Sequence, residues 1–491
     1  MNAAFGIHVY ASGMVTERAR WRDPVLVGVL GSLTLLLLQT ITRLTRADDL
    51  FGGYRFQAWS SEEFMQEVRI NDLLEIGPIG LWYLHVQPPM LDAMRFMLVL
   101  PEYLTGSSVS AQLIDERMYG VYLLLYGVLL AVVFAWVRSL TKSTKWAVIG
   151  SVVIGAYPGT IAMATLLDGT FLATVLTTIM LYLLYLALRD RNDRLLNWWL
   201  LTLLLLSWTR VVFQIHILIL VPIVVWLIYR YRIVRTSRVA LAVSILLVGG
   251  LFVLPAKQYV LFGTLATTTF AGNHQVEVVS YRPTAEELAA VAIPDRYLGN
   301  AERFVSGFNT PANVETNYVL SQIATDYYLR DPFQVLKNLL WGMQMNMSQA
   351  LLFTHDYSIL DGGPANIAAD SLPWTPPPSR ALGAAFYLGT LLTTAALLVY
   401  AYGVRGLFAR ARWYAGFLFM SGIIMLTTLL ANRYDWSESD RLKFYLIPFA
   451  VVLLVSSIAW ARRRYFANRK RTTLEGGSRE ATTHAQRPLS S

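Results

Sequence analysis

Apolar residues recur along this chain in runs of about 20, each long enough to cross the hydrocarbon core of a bilayer, with short charged breaks between them. Such runs cross as helices, because lipid offers a free backbone N–H or C=O no partner. The pattern predicts an all-α polytopic membrane protein with ten spans: Pro24–Leu44, Met118–Val137, Trp146–Thr165, Thr170–Leu188, Leu195–Val212, Ile215–Tyr229, Val239–Pro255, Ala381–Gly403, Tyr414–Leu430 and Tyr445–Ala461. Three stretches, 45–117, 257–380 and 432–444, are read as loops on one side. Within the second, Phe333–Phe353 is apolar, but counting it as a span would put the following arginines on the wrong side, so it is predicted to lie in the interface. The prolines of "SLPWTPPPSR" forbid a continuous helix after it. Residues 1–23 read as an N-terminal tail and 462–491 as a basic tail, disordered from Thr472 onward for want of apolar residues.

Charge adds the sidedness. Arg18, Arg20 and Arg22 precede the first span. Further clusters stand at alternate breaks: Arg138, Lys142 and Lys145; Arg189, Arg191 and Arg194; Arg230, Arg232, Arg235 and Arg238; Arg405, Arg410 and Arg412; and finally "RRRYFANRKR". Under the positive-inside bias these ends are cytoplasmic, both termini are inside and the three loops are outside. A chain that is 55% hydrophobic and only 15% charged is no ordinary soluble domain. Its net charge of +9 is split into short clusters beside apolar runs, which makes it a topology signal and not a nucleic-acid face. The absence of cysteine removes disulfides and thiolate metal sites. No small-residue cleavage site follows the first arginines, so the first span is read as uncleaved.

Polar residues inside the outer loops are the candidate chemistry. In "LWYLHVQPPMLDAMR", Pro88 and Pro89 are predicted to begin a helix carrying Asp92 and Arg95, since the first amides of a helix have no internal partner. Upstream, in "AWSSEEFMQEV", Ser60 and Glu63 have capping-box spacing, which explains Glu63 structurally and leaves Glu62 unused. A carboxylate held on the first turn of an interfacial helix suits a general base; favourable interaction with the helix dipole explains it equally. Asp168 stands at the outer turn "LLDGT", where an acid beside two lipid-compatible helices is costly unless it faces a cavity, although Asp-Gly is also an ordinary turn pair. Arg210, in "SWTRVVFQIH", either snorkels or serves a site, and His216 is as well explained by a hydrogen-bonded interior. "NRYDWSESDRLKFYLIPF" gathers Arg433, Asp435, Glu438, Asp440, Arg441 and Lys443 on the outer side, against the charge bias, which fits either an anionic partner or a salt-bridged cap.

In their order along the chain and their shared side, these elements resemble the GT-C superfamily of polyprenyl-phosphate-sugar-dependent glycosyltransferases, which includes protein O-mannosyltransferases and the aminoarabinose transferase acting on lipid A. The likeness covers roughly Pro24 to Ala461. It implies that Glu62-Glu63 occupies the position of the family's Asp-Glu pair, which supplies the catalytic base, with Asp48 or Asp49 as substitutes for the missing aspartate. It implies that His85, Gln87, Pro88, Pro89 and Met90 match the "HPPL" or "KPPL" element, Gln87 standing where some members have a phosphate-binding lysine. Asp168 is similar to the second family carboxylate and Arg210 to a basic residue of the fifth span. "RLKFYLIPF" looks like the late "RY-x-LP-x-P" element, which makes Arg441 and Tyr445 candidates for donor-phosphate or acceptor contacts; Arg95 joins the binding set. No role carries over to His274. A divalent metal near the carboxylates occurs in some members and not in others, so metal dependence stays open.

The resemblance implies an inverting transfer of a sugar from a polyprenyl phosphate to a glycan, lipid or protein acceptor at the extracytoplasmic face of a bacterial inner membrane. No G-x-x-x-x-G-K-[ST] loop points instead to a nucleotide. Two other expectations stand beside it: a lipid or solute transporter or flippase using the same charges, and a ligase or polymerase of lipid-linked oligosaccharides.

Overall fold

The computed structural model describes residues 22–38, 40–41, 68–165, 167, 169–210, 215–235, 237–269, 271–272, 275–276, 283–338 and 444–485, with 158, 162, 165, 215–219 and 470–485 as backbone path alone. It is mostly helical (81%), and the described residues hold no strand, which establishes the all-α class. Helix α1 covers residues 22–38. Four short helices follow, α2 (Ile70–Ile76), α3 (Ile79–Tyr83), α4 (Met90–Leu98) and α5 (Leu100–Thr105). Then come α6 (Ala111–Thr141), α7 (Thr144–Gly155), α8 (Pro158–Thr165), α9 (Gly169–Asp190), α10 (Asp193–Ser207), α11 (Ile215–Arg230) and α12 (Arg238–Phe262). Helices α13 (Ala285–Ala289), α14 (Asp295–Ala301) and α15 (Pro311–Arg330) lie in the second loop. A 3-10 turn, Phe444–Leu446, leads into α16 (Ile447–Ala485).

Among the described residues four helical segments are long and apolar enough to cross a membrane: Ala111–Thr141, Gly169–Asp190, Arg238–Phe262 and Phe444–Arg469. Each contains one expected crossing. Four other expected crossings fall on α1, on the pair α7 and α8, on α10 and on α11, which are shorter or interrupted. Ala381–Gly403 and Tyr414–Leu430 lie outside the described residues, as does Phe333–Phe353 beyond residue 338. Between α7 and α8 the helix stops at Ala156–Tyr157, because Pro158 has no N–H and disfavours helical backbone at the residue before it. The freed Gly155 carbonyl accepts from Tyr126 Oη at 2.8 Å.

Two boundaries differ from expectation. The second loop does not open at Lys257: α12 continues to Phe262, where Gly263 ends it at φ 73° with its N–H on the Tyr259 carbonyl. Lys257 stays inside the helix because interior partners receive its charge end. The C-terminal tail is helical as far as Ala485, since a helix already nucleated and packed as a span propagates into polar sequence at little cost.

Helix α9 is the centre of the bundle, with α6, α10 and the Phe444–Leu446 turn packed around it. Two of its buried threonines bond back along the helix: Thr174 donates to the Thr170 carbonyl and Thr178 to that of Thr174, each at 2.8 Å. By contrast α12 exposes Val239, Ile245, Leu246 and Val260, an apolar face suited to lipid. Helices α1 and α6 cross closely: a Cβ on Gly28 would lie 2.6 Å from the Gly127 carbonyl oxygen, and Ser32 donates to the Leu123 carbonyl at 2.7 Å.

The basic clusters among the described residues meet at one end of the bundle. Arg138 pairs with Asp23 at 2.6 Å, and Arg189 donates to Ser139. The Arg235 amide binds the Arg191 carbonyl at 3.1 Å, and Ser237 N donates to Asp193 at 2.8 Å. Trp460 and Arg463 donate to the carbonyls of Leu140 and Thr141. The described helix ends that carry basic clusters therefore lie together; Arg18, Arg20, Arg405, Arg410 and Arg412 lie outside the described residues.

Candidate functional site

At the opposite end, the Pro-Pro element starts a helix as expected: Pro89 is the N-cap of α4. The Met90 amide, unpaired within α4, donates to the Trp208 carbonyl at the end of α10, at 3.0 Å. Asp92 and Arg95, on one face of α4, form an ion pair of 2.9 Å with both side chains fully buried. The same guanidinium nitrogen donates to the Val68 carbonyl at 2.7 Å, Gln87 Nε2 donates to Asp92 at 3.0 Å, and the Val68 amide reaches Asp92 at 3.4 Å. Burial pushes the Asp92 carboxyl above its ordinary value, against the pull of Arg95, Gln87 and the Val68 amide. Arg95 and Asp92 thus clamp Val68 to the start of α4, with Gln87 holding the Asp92 carboxylate.

The preceding segment, Leu84–Val86, is held from three directions. From α12, Lys257 and Gln258 both donate to the Leu84 carbonyl. From the turn after α12, Thr269 N donates to the His85 carbonyl at 2.9 Å, Thr269 Oγ1 lies 2.9 Å from His85 Nδ1, and Thr268 donates to the Val86 carbonyl. From the second loop, Asn309 Oδ1 accepts from the amides of His85 (2.8 Å) and Val86 (3.4 Å), while its Nδ2 donates to the Phe304 carbonyl at 2.6 Å. His85 is fully buried, its ring 4.8 Å from that of Phe262. Burial, and secondarily the Lys257 ammonium, push its pKa down to about 3, so the imidazole is neutral at any physiological pH.

Arg210 lies against the start of α9: its Nη2 donates to Thr170 Oγ1 at 2.5 Å, and a Cβ on Gly169 would sit 3.2 Å from its Nε. Asp168 immediately precedes α9 in the chain. Tyr157, at the α7–α8 break, stacks on Phe444 with ring centroids 6.4 Å apart, and the buried Tyr445 sits in the turn that packs on α9. The His85–Arg95 element, Arg210 and Tyr445 are therefore assembled around the ends of α9 and α10 on a single side of the bundle. Glu62, Glu63, Asp168, Arg441, Asp48, Asp49 and His274 lie outside the described residues, as does the side chain of His216. Among the described residues no group of three or more His, Asp or Glu is placed to hold a metal ion.

Several residues that build this end were not singled out from sequence: Asn309, Thr268, Thr269, Lys257 and Gln258. The last two carried a signal, a polar pair with apolar residues on both sides in "FVLPAKQYVLF". Asn309 carried none, because a lone asparagine in a loop is unremarkable until the backbone amides it serves are located. Comparison with protein-family models and with curated proteins returned no match.

Proposed function

We propose that the chain is a membrane glycosyltransferase that moves a sugar from a polyprenyl phosphate to an acceptor at the extracytoplasmic face, in a ten-span, GT-C-like arrangement with both termini in the cytoplasm. The reading is supported most by one observation: Arg210 lies against the first residues of α9, directly after Asp168 in the chain, while α10, which carries Arg210 past its end, receives the Met90 amide of the Pro-Pro element. A cation, the first turn of α9 and the His85–Pro89 segment thus share one end of the bundle. Val68, clamped there by Asp92 and Arg95, follows Glu62 and Glu63 by six and five positions in the sequence.

In this mechanism Glu62, or Glu63 in its stead, takes the acceptor hydroxyl proton as the new bond forms to the sugar. Asp168 orients the acceptor or a donor hydroxyl. Arg210, with Arg441 and Tyr445, offsets the charge that gathers on the departing phosphate. The lipid tail needs only an apolar groove between spans. If a divalent metal takes part, Asp168 and the Glu62-Glu63 pair are the residues that would hold it.

Purified protein in liposomes with a labelled polyprenyl-phosphate sugar tests the reading, alongside mass spectrometry of envelope glycans after deletion of the gene. Glu62→Gln is expected to lose at least about 100-fold in transfer while remaining folded; wild-type turnover removes Glu62 from the mechanism. A transporter is favoured by a different observation, the helix break at Ala156–Tyr157 and Pro222 inside α11, since interrupted helices are common in transporters. Substrate movement without a new glycosidic bond in the same liposomes supports that alternative.

A further inference from the structure

The transfer mechanism does not use Lys257, a buried charge among the helices. Lys257 is only 5% exposed, on α12, and its ammonium donates to the Leu84 carbonyl 5.8 Å from the centre of the Phe262 ring. Among the described residues no carboxylate pairs with it. Asp92, the buried acid of the adjoining element, is already matched by Arg95. A carbonyl and a ring face occupy one of three N–H donors and do not balance a full charge withdrawn from water. Such a lysine among membrane helices marks a functional site unless a counter-charge accounts for it.

Three further buried polar atoms around it are unmatched among the described residues: His85 Nε2, Gln258 Oε1 and Thr267 Oγ1. They belong to one knot. Gln258 shares the Leu84 carbonyl with Lys257 and donates to the Thr267 carbonyl, and His85 packs on the same Phe262 ring. Two spare ammonium N–H groups, a hydroxyl and an imidazole nitrogen that donates in one tautomer form a donor set for an oxyanion, while Gln258 Oε1 accepts from a hydroxyl on or beside it.

We infer that Lys257 is the counter-charge of an oxyanion site of the phosphate class, closed between the end of α12, the Leu84–Val86 segment and Thr267. Admission of the anion parts α12 from that segment. Lys257 then exchanges a neutral carbonyl for a charged oxygen, while Gln258 keeps the Leu84 carbonyl satisfied. Only the assignment of the phosphate to a lipid donor rests on the transferase reading.

The test uses full-length protein in lipid nanodiscs with two probes, inorganic phosphate and decaprenyl phosphate without a sugar. Binding is followed by calorimetry and by the Nε2 resonance of 15N-labelled His85, assigned with His85→Gln. The expected result is saturable binding of at least one probe with a shift of that resonance, weakened roughly 30-fold or more in Lys257→Met and largely retained in Lys257→Arg. Saturation by decaprenyl phosphate alone makes the anion a lipid headgroup; saturation by inorganic phosphate makes it a soluble anion, and both support the site. Wild-type protein that binds neither probe, or binding with no shift at His85, overturns the site even if Lys257→Met fails to fold. Equal affinity in a folded Lys257→Met overturns it as well. Because no sugar is transferred, failure of the glycosyltransferase reading with phosphate binding intact leaves the site standing.

Discussion

Replacing Arg95 with methionine isolates the clamp that joins the first outer loop to the bundle. The guanidinium is fully buried and one of its nitrogens serves two acceptors, Asp92 at 2.9 Å and the Val68 carbonyl at 2.7 Å. Removing it leaves a buried carboxylate held by Gln87 and the Val68 amide alone, and breaking one side of such a pair costs about 3–5 kcal/mol. Replacing both partners, as in Asp92→Leu with Arg95→Met, recovers most of that loss, because no charge then remains out of water. The cost also depends on pH. Burial already holds the Asp92 carboxyl above its ordinary value, and without the cation it rises further. An acid whose folded-state pKa lies above the unfolded value of about 3.9 stabilises the fold below that value and loses the contribution as pH rises through the folded pKa. The penalty for Arg95→Met is therefore smaller at pH 5 than at pH 8. Denaturant titrations of detergent-solubilised single and double variants at both pH values measure it, with hydrogen exchange at Val68 as the local readout. A single variant within about 0.5 kcal/mol of wild type at pH 8, or a double variant worse than either single one, refutes the reasoning.

Asn309→Ala removes the acceptor for two buried amides and a donor to the Phe304 carbonyl, and is expected to cost about 2–3 kcal/mol and to speed exchange of the His85 amide. His85 is a base with a depressed folded-state pKa of about 3, so the unfolded chain binds a proton below about pH 6.5 that the folded chain refuses; stability falls as pH drops from 6.5 toward 3, and His85→Gln flattens that slope in a pH series of melts. At the α1–α6 crossing, Gly28→Val places carbon atoms against the Gly127 carbonyl and is expected to cost about 2 kcal/mol or more in the same melts, whereas wild-type stability shows that the two helices can move apart freely.

Sequence reasoning reached the parts of this molecule that follow from a single segment. Apolar run length located the four long helices, prolines placed the start of α4, and basic clusters grouped the described helix ends. It failed where a polar residue is accommodated by distant partners. The seventh span was expected to end at Pro255 with a loop from residue 257, but the helix runs on to Phe262, with Lys257 received by the carbonyl of Leu84, far away in the chain. The contacts of Arg95 with Asp92 and the Val68 carbonyl were likewise not foreseen from the segment alone. The break between α7 and α8 was signalled by Pro158, but the run around it is apolar throughout and hid it. Arg210 was legible as a candidate from its cost in an apolar span; that its partner is the first turn of α9 depends on how α9 and α10 pack.

The most direct test of the account is a distance. The chain has no cysteine, so Glu62→Cys with Asp168→Cys can be spin-labelled in lipid without background and measured by pulsed electron double resonance. Convergence of the two acids on one pocket predicts a narrow distribution below about 20 Å, well short of the roughly 30 Å hydrocarbon thickness. A distance near or beyond the roughly 30 Å thickness of the hydrocarbon core puts the acids on opposite faces and contradicts the account.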